Sequence, residues 1–291
     1  MLAAGAVEKP VIRVEGESAS ECDDIVAIEE PLEIQIGWAH REDSYRGISI
    51  TMRTPGEDFS LAAGFLFTEG ILTGPAEIET IGHWGPLVGD EKVRNIVRLS
   101  LRPEVSVDWR RLDRHFYTSS SCGVCGKSSI AALRAAGCAP LPGGLMQIDA
   151  MLLHELPARL RTAQDVFAQT GGIHAAALFS ASGDLLALHE DVGRHNAVDK
   201  LIGARFLAGE LPAADSILLL SGRASFELVQ KTAMARIPVL AAVGAPSSLA
   251  VELADSLGVT LAGFVRDGRF NLYTHAERIR LAMACDKKGI A

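Results

Sequence analysis

Cysteine is scarce in this chain, and no stretch of it is apolar enough to suit a membrane. The 291 residues include five cysteines, an odd number that argues against the disulfide framework of small secreted proteins. No apolar run approaches the roughly 20 residues that span a bilayer. The opening residues carry neither a basic leader nor a long apolar segment, so we expect no secretion signal. These absences predict a cytoplasmic protein without a membrane span.

The chain also has no excess of positively charged residues. The formal net charge is −8, whereas proteins that bind nucleic acid broadly are more often basic. We therefore expect no nucleic-acid partner, although a local cationic pocket for a small anion remains possible. With 48% hydrophobic and 22% charged residues, the composition is that of an ordinary globular protein of one or two domains.

The chain divides into two halves by its pattern of apolar residues. Residues 1–140 read as a β-rich domain that ends in a CxxC loop and a short helix, with "PLEIQIGWAH" and "YRGISITMRT" as strands. Residues 141–291 alternate apolar strands with amphipathic helices, which is typical of a layered α/β sheet. "APLPGG" at 139–144 is the candidate linker, and Pro157 is a possible interruption of a long helical segment at 147–170. We predict an α/β protein, α+β overall.

The stretch "TSSSCGVCGKSS" at 118–129 places Cys122 and Cys125 two residues apart. CxxC is half of a structural zinc site, but no second pair accompanies it, and the H-x-E of a zinc deaminase occurs only later, at 275–277. A thioredoxin-like redox pair has this spacing but usually follows a strand. A structural disulfide is unusual in a reducing compartment, and two ordinary loop thiols are the simplest alternative.

A further possibility is a carrier that holds sulfur on a thiolate and passes it on. A helix that starts near residues 126–128 would favour the anionic sulfur, and Lys127 adds a positive charge. Serine and glycine around the pair predict a solvated, flexible loop, which suits delivery between two sites.

Polar turns follow three strands of the second half and precede helices. "HEDVGRHN" carries Arg194 and His195, "SGRAS" carries Arg223, and "VGAPSS" spans 243–248. Helix N-termini and arginine both favour phosphate, and such turns meet at the carboxyl edge of an open sheet. We therefore predict a diphosphate or nucleotide site; the alternative is that both arginines merely pair with Asp191 or Glu227. The predicted site residues are Arg194, His195, Ser221, Gly222, Arg223 and Ser225.

A third candidate segment is "GFVRDGRFNLYT" at 263–274. Phe264 could stack on a flat base, and Arg266 and Arg269 could meet charge. The same letters also predict an ordinary hairpin with "DG" as a two-residue turn, and the two interpretations are compatible. Elsewhere, we expect His174 to be a core histidine, and Asp199 and Lys200 to lie on a solvated helix face.

Several segments of the sequence together resemble the FdhD/NarQ family, the formate dehydrogenase accessory sulfurtransferases. The resemblance rests on "SSCGVCG", "TGGIHAAALF", "HEDVGRHNAVDKLIG", "LLLSGRASFELVQK" and "GFVRDGRFNLYTH", and it runs from about residue 30 to residue 282. It implies that Cys122 takes persulfide sulfur from a cysteine desulfurase of the IscS type, while the role of Cys125 is less settled. The sulfur would then pass to bis-molybdopterin guanine dinucleotide, the molybdenum cofactor of formate dehydrogenase, which is bound here as cargo.

The resemblance further implies where the cargo binds. The family's cofactor segment corresponds to Phe264, Val265, Arg266, Asp267, Gly268 and Arg269, and GDP-like nucleotides would act as analogues. The second half would be a cytidine-deaminase-like three-layer domain without zinc, because neither "HEDVGRHN" nor "SGRAS" offers a cysteine. A homodimer is expected. Two alternatives stay open: a chaperone that only binds the cofactor, and a CxxC thiol–disulfide oxidoreductase.

Overall fold

The computed structural model describes residues 2–88, 94–109, 138–142 and 146–281, and its architecture is α+β. Within these ranges, no helix combines the length and the apolar character that crossing a membrane requires. The predicted boundary near residue 140 falls next to a gap between the described ranges and stays a prediction.

The first half is built on a four-stranded sheet that is covered by one helix, α1 (Asp58–Thr68). Its strand order is β4-β3-β6-β5, and a separate antiparallel hairpin, β1–β2, precedes it. Leucine and isoleucine side chains of the sheet and of α1 form the core between them. The strands are β1 (Ala6–Glu15), β2 (Ser18–Ala27), β3 (Glu30–Trp38), β4 (Arg41–Arg53), β5 (Ile78–Trp84) and β6 (Ile96–Leu101).

The second half is built on a six-stranded mixed sheet of order β13-β12-β11-β10-β8-β9. Strands β10, β11 and β12 are parallel, and the other pairings are antiparallel. The strands are β8 (His174–Ser180), β9 (Leu185–Asp191), β10 (Ser216–Leu220), β11 (Val239–Ala242), β12 (Thr260–Arg266) and β13 (Arg269–Thr274). The helices are α2 (Ala150–Ala163), α3 (Asp165–Thr170), α4 (Arg194–Leu207), α5 (Phe226–Met234) and α6 (Ser248–Leu257). Short parallel strands β7 (Ile148–Asp149) and β14 (Ile279–Arg280) pair beside the sheet, and 3-10 turns occupy Pro75–Glu77 and Ala276–Arg278.

Both faces of this sheet are covered, which gives three layers. Along β8, Ala176 and Leu178 pack into one core with α4, α5 and α6, while Ala177 and Phe179 pack into the other with α2. Alternation along a strand places successive side chains on opposite faces, so two apolar cores need helices on both sides. The α+β class and the layered second half are therefore confirmed. The predicted interruption at Pro157 is wrong, because that proline lies inside α2 and the helical segment breaks at Gln164.

The two halves are joined where α1 crosses α4 at a pair of glycines. A Cβ atom on Gly64 would lie 1.9 Å from the backbone oxygen of Asp199, and one on Gly203 would lie 1.8 Å from that of Ser60. Only residues without a Cβ allow two helix backbones to approach this closely.

Asp199 and Lys200 are buried, so the predicted solvated face is wrong. Asp199 is 3% exposed and Lys200 is 1% exposed, because α4 is enclosed between α1 and the sheet. Asp199 accepts from Lys231 Nζ at 2.9 Å and from Thr68 Oγ1 at 2.9 Å. These bonds compensate buried charges that would otherwise be costly, and they connect α1, α4 and α5.

Candidate functional site

The predicted polar turns meet at one edge of the six-stranded sheet. Strands β10, β11 and β12 run parallel and end at this carboxyl edge, and α5 and α6 begin just beyond it. Strand β9 also ends there, because His174 at the start of β8 pairs with Asp191, and helix α4 follows. Three helix N-termini therefore converge on the edge, and each offers unpaired backbone N–H groups and partial positive charge.

Backbone hydrogen bonds connect the turns at this edge. Gly244 N–H donates to the Gly222 carbonyl at 2.9 Å, and Phe264 N–H donates to the Gly244 carbonyl at 3.0 Å. Phe264 has a φ of 55°, an unusual value for a residue with a side chain. We call residues 221–225, 243–247 and 263–264 the edge shelf. Its rigid backbone places Arg223 and Phe264 on neighbouring turns.

A buried carboxylate fixes the loop that carries Arg194 and His195. Asp191 is fully buried and accepts hydrogen bonds from Gly193 N at 2.8 Å and from Thr54 N at 3.1 Å. It also lies 2.8 Å from Lys200 Nζ, which in turn donates to the Thr54 carbonyl at 2.8 Å. The start of α4 is therefore fastened to the end of β4 in the first half.

The arginines do not use the acidic partners that the simpler interpretation assigns to them. Over the ranges described, the ion pair of Asp191 goes to Lys200 and that of Glu227 goes to His195. The Nε atom of Arg194 is buried and has no hydrogen-bond partner among the residues that the structure describes, and Arg223 is exposed. Both guanidinium groups therefore keep donors that a ligand could use.

His195 is held by groups of the neighbouring helix. Its Nε2 lies 3.2 Å from Ser225 Oγ and 3.8 Å from Glu227 Oε2. The adjacent imidazole lowers the pKa of Glu227 to about 2, so this carboxyl group is ionised at neutral pH. Ser225 and His195, both predicted site residues, are thus brought together, and Glu227, which the sequence offered as a partner for an arginine, lies beside His195 instead.

His174, which we predicted to be a core histidine, is only partly buried. Burial lowers the pKa of His174, and the nearby Arg194 and His195 side chains lower it further, so its imidazole is neutral near pH 7. A Cβ atom on Gly222 would lie 3.3 Å from His174 Nδ1, which places the histidine against the edge shelf. The order of the strands alone brings it there, and no local pattern predicts that order.

The predicted base-stacking segment is a β-hairpin at the end of β12. Arg266 pairs with Arg269 across a two-residue turn in which Asp267 and Gly268 both have positive φ, as the "DG" pattern predicts. Arg266 lies 6.0 Å from the Phe264 ring centroid, and both arginines are exposed. Val265 differs from the rest of the segment, because its side chain is fully buried in the core and cannot contact a ligand.

Cys122 and Cys125 lie outside the described residues, as does Lys127. Of the other cysteines, Cys138 is buried, and burial raises the pKa of its thiol. Within the described ranges, no three His, Cys, Asp or Glu side chains come together in a way that could hold a metal ion.

Comparisons with known proteins identify relatives along nearly the whole chain. A model of the FdhD/NarQ family matches residues 27–280. The sulfur carrier protein FdhD of Streptomyces coelicolor is 47% identical over 278 residues, which cover 95% of this chain and 96% of that protein. The protein of the same name from Mycolicibacterium paratuberculosis is 49% identical over 260 residues, 87% of this chain and 91% of that one. A crystal structure from Desulfotalea psychrophila, described as a formate dehydrogenase accessory protein, superposes with a TM-score of 0.70 at 26% identity, and covers 94% of this chain and 99% of that one.

Proposed function

The chain belongs to the FdhD/NarQ family, and from that premise we propose that it carries sulfur for the maturation of formate dehydrogenase. Cys122 is the carrier, a cysteine desulfurase of the IscS type is the donor, and bis-molybdopterin guanine dinucleotide is the cargo that receives the sulfur. The names of relatives at 47% and 49% identity support the sulfur-carrier role.

In the proposed transfer, two thiols act in sequence. The Cys122 thiolate attacks the outer sulfur of the desulfurase persulfide; a new S–S bond forms on Cys122, and the desulfurase leaves as a thiolate. Cys125 then attacks the inner sulfur, so a Cys122–Cys125 disulfide forms and the outer sulfur departs as sulfide toward the metal. The two thiols supply both electrons of this reduction, and an external thiol reductant returns the pair to its starting state.

The observation that carries the cargo site is the pair of arginines at the carboxyl edge. Arg194 and Arg223 lie beside three helix N-termini, and over the described ranges neither forms a salt bridge with a carboxylate. Helix starts and guanidinium groups are the phosphate ligands that proteins use most readily, and a guanine dinucleotide carries diphosphates. Phe264, Arg266 and Arg269 extend this positive edge along the hairpin.

Sulfur loading tests the function directly. The protein is incubated with cysteine desulfurase and cysteine, and its intact mass is then measured. A sulfur carrier gains the mass of one sulfur atom, and that gain is removed by a thiol reductant. Because the second step of the proposed transfer also leaves a disulfide, the measurement is repeated on Cys125→Ser, in which that disulfide cannot form. A Cys125→Ser variant that gains no sulfur would refute the carrier function.

Removing either arginine is expected to weaken the binding of guanine nucleotides. Arg223→Gln and Arg194→Gln should each lose about 1.5–3 kcal/mol of GDP binding, or about 10- to 150-fold in Kd, because each deletes a charge-assisted contact. Calorimetric titration with GDP measures the loss. Arg102→Gln, at an exposed arginine that donates to a backbone carbonyl of the first half, is the matched control. Unchanged GDP affinity in both arginine variants would contradict the proposal that Arg194 and Arg223 bind the phosphates.

A further inference from the structure

The β1–β2 hairpin is a separate two-stranded sheet that carries much of the negative charge of the protein. Over the described ranges, its strands pair only with each other. Residues 6–27 hold six carboxylates and two cations, which gives half of the formal net charge of −8. All six carboxylates are exposed: Glu8, Glu15, Glu17, Glu21, Asp23 and Asp24. We call residues 6–27 the acidic arm.

One face of the acidic arm combines carboxylates with exposed apolar side chains. Ile12 pairs with Glu21 and Val14 pairs with Ala19, and residues that lie directly opposite each other in a hairpin share a face. Ile12 is 67% exposed and Val14 is 66% exposed. An apolar centre with a charged rim is the usual anatomy of a protein–protein interface. The face therefore suits a partner protein that carries positive charge.

The base of the acidic arm is attached to helix α3 and to the end of β4. Just before the arm, Ala3 N donates to Gln169 Oε1 of α3 at 3.0 Å, and both strands of the arm contact the same helix. A Cβ on Gly5 would lie 2.6 Å from Thr54 Cγ2, so the chain packs closely against the residue that follows β4. The base is therefore fixed, while the carboxylates are exposed to solvent.

Helix α3 connects the acidic arm to the carboxyl edge. Val166 N and Phe167 N donate to the Glu190 carboxylate at 2.9 Å and 3.0 Å, so α3 is held by β9. Strand β9 leads directly into the loop that carries Arg194. Phe167 and Ser221, a residue of the edge shelf, line the same cavity of about 420 Å³. The acidic arm therefore begins beside the proposed cargo site.

A protein that takes the cargo from this edge must bring its own cofactor cleft close to it. Because the cargo carries diphosphates, the receiving cleft must present lysine, arginine or helix N-termini. While that cleft is empty, its positive charge is not neutralised and attracts anionic groups to its mouth. The acidic arm has both the charge and the position to meet such a mouth.

We propose that the acidic arm is the docking site for cofactor-free formate dehydrogenase, the partner that receives the cargo. The carboxylates face the positive mouth of the empty cleft, and Ile12 and Val14 pack against apolar side chains beside it. This inference rests on the proposed function, which makes formate dehydrogenase the recipient. Once the anionic cofactor fills the cleft, the electrostatic attraction falls, and the two proteins separate more readily.

Removing three carboxylates of β2 tests the electrostatic part of the proposal. The triple variant Glu21→Gln, Asp23→Asn, Asp24→Asn should associate about tenfold more slowly with immobilised cofactor-free formate dehydrogenase at about 50 mM salt. At about 500 mM salt the difference should shrink to roughly twofold or less, because screening removes the long-range attraction. Biolayer interferometry at both salt concentrations measures the association rates.

A matched control removes the same amount of charge outside the acidic arm. It replaces three other exposed carboxylates: Glu79→Gln, Glu104→Gln and Asp215→Asn. This control should associate like wild type, and an equally slow control would show that total charge acts instead of the arm. Neither triple variant changes the thiols or the edge arginines, so sulfur loading and GDP affinity should stay at wild-type values and verify folding.

Ile12→Ser tests the apolar part of the same interface. It should dissociate about tenfold faster from cofactor-free formate dehydrogenase at either salt concentration, because an apolar contact that excludes water is lost. Ile50→Ser is the matched control, since Ile50 is 73% exposed on β4, outside the acidic arm. The control should dissociate like wild type.

Three results would overturn the docking proposal. The arm variants could bind cofactor-free formate dehydrogenase like wild type. Wild type could bind the cofactor-loaded enzyme as tightly as the cofactor-free one. The arm variants could instead lose affinity only for the cysteine desulfurase or for a second copy of this chain. Failure of the proposed function is seen separately, because a Cys125→Ser variant that gains no sulfur refutes the carrier role whatever the acidic arm binds.

Discussion

Cys122→Ala is expected to lose sulfur loading completely while keeping the fold and the nucleotide site. The variant has no thiolate to attack the desulfurase persulfide, so its mass should stay unchanged after incubation with desulfurase and cysteine. In cells that depend on this protein, formate dehydrogenase activity should fall to background. GDP affinity should equal that of wild type, because the proposed phosphate ligands lie on the second half of the chain.

Cys138→Ala is the matched control for this experiment. Cys138 is buried and burial raises the pKa of its thiol, so it is a poor nucleophile at neutral pH, and its loss should leave sulfur loading intact. Two results would count against the assignment. Sulfur that still loads onto Cys122→Ala would place the carrier on another cysteine, and full formate dehydrogenase activity in that variant would favour the cofactor-binding chaperone.

Gly64→Ala is expected to destabilise the protein by about 3 kcal/mol, a large effect for one methyl group. The added Cβ would lie 1.9 Å from the Asp199 carbonyl oxygen, and the obstructing atoms belong to a helix backbone that cannot rotate away. The helices α1 and α4 must therefore separate, which also stretches the bonds of Asp199 to Thr68 and Lys231. The free energy of unfolding in urea measures the loss.

Gly82→Ala provides the comparison for that measurement. A Cβ on Gly82 would meet none of the described atoms within 4 Å, so the same chemical change should alter stability by no more than about 0.5 kcal/mol. Equal stabilities of the Gly64 and Gly82 variants would show that the close helix crossing tolerates a side chain, contrary to the geometry.

Sequence patterns predicted much of the secondary structure but not every charged contact. The alternation in "PLEIQIGWAH" and the "DG" turn of the last hairpin identify their elements because strands and tight turns leave strong local signals. The strand β2 is polar and has no such signal; its pairing with β1 makes it a strand. Burial of Asp199 depends on α1, which is distant in sequence, and local charge cannot reveal such a neighbour.

The candidate site likewise combines features that the sequence predicts with features that it does not. The positions of Arg194 and Arg223 at one edge follow from a general rule about strands that precede helices, whereas Phe264 lies in β12, which continues into a hairpin. His174 and Glu227 join them only because β8 lies between β9 and β10 and because α5 begins beside α4. Strand order is a property of the whole fold, so neither the position of His174 nor the contact of Glu227 with His195 could be assigned from the sequence alone.

The bonds around Asp191 limit how relatives of this protein can be recombined. This carboxylate, Lys200 and Thr54 complete one another's hydrogen bonding from opposite halves of the chain. A chimera that exchanges the first half must therefore supply a backbone N–H and a carbonyl at the position of Thr54, or the buried Asp191 and Lys200 will each lose a hydrogen bond. The two halves of this chain therefore depend on each other's contacts, and neither half can be exchanged without replacing those contacts.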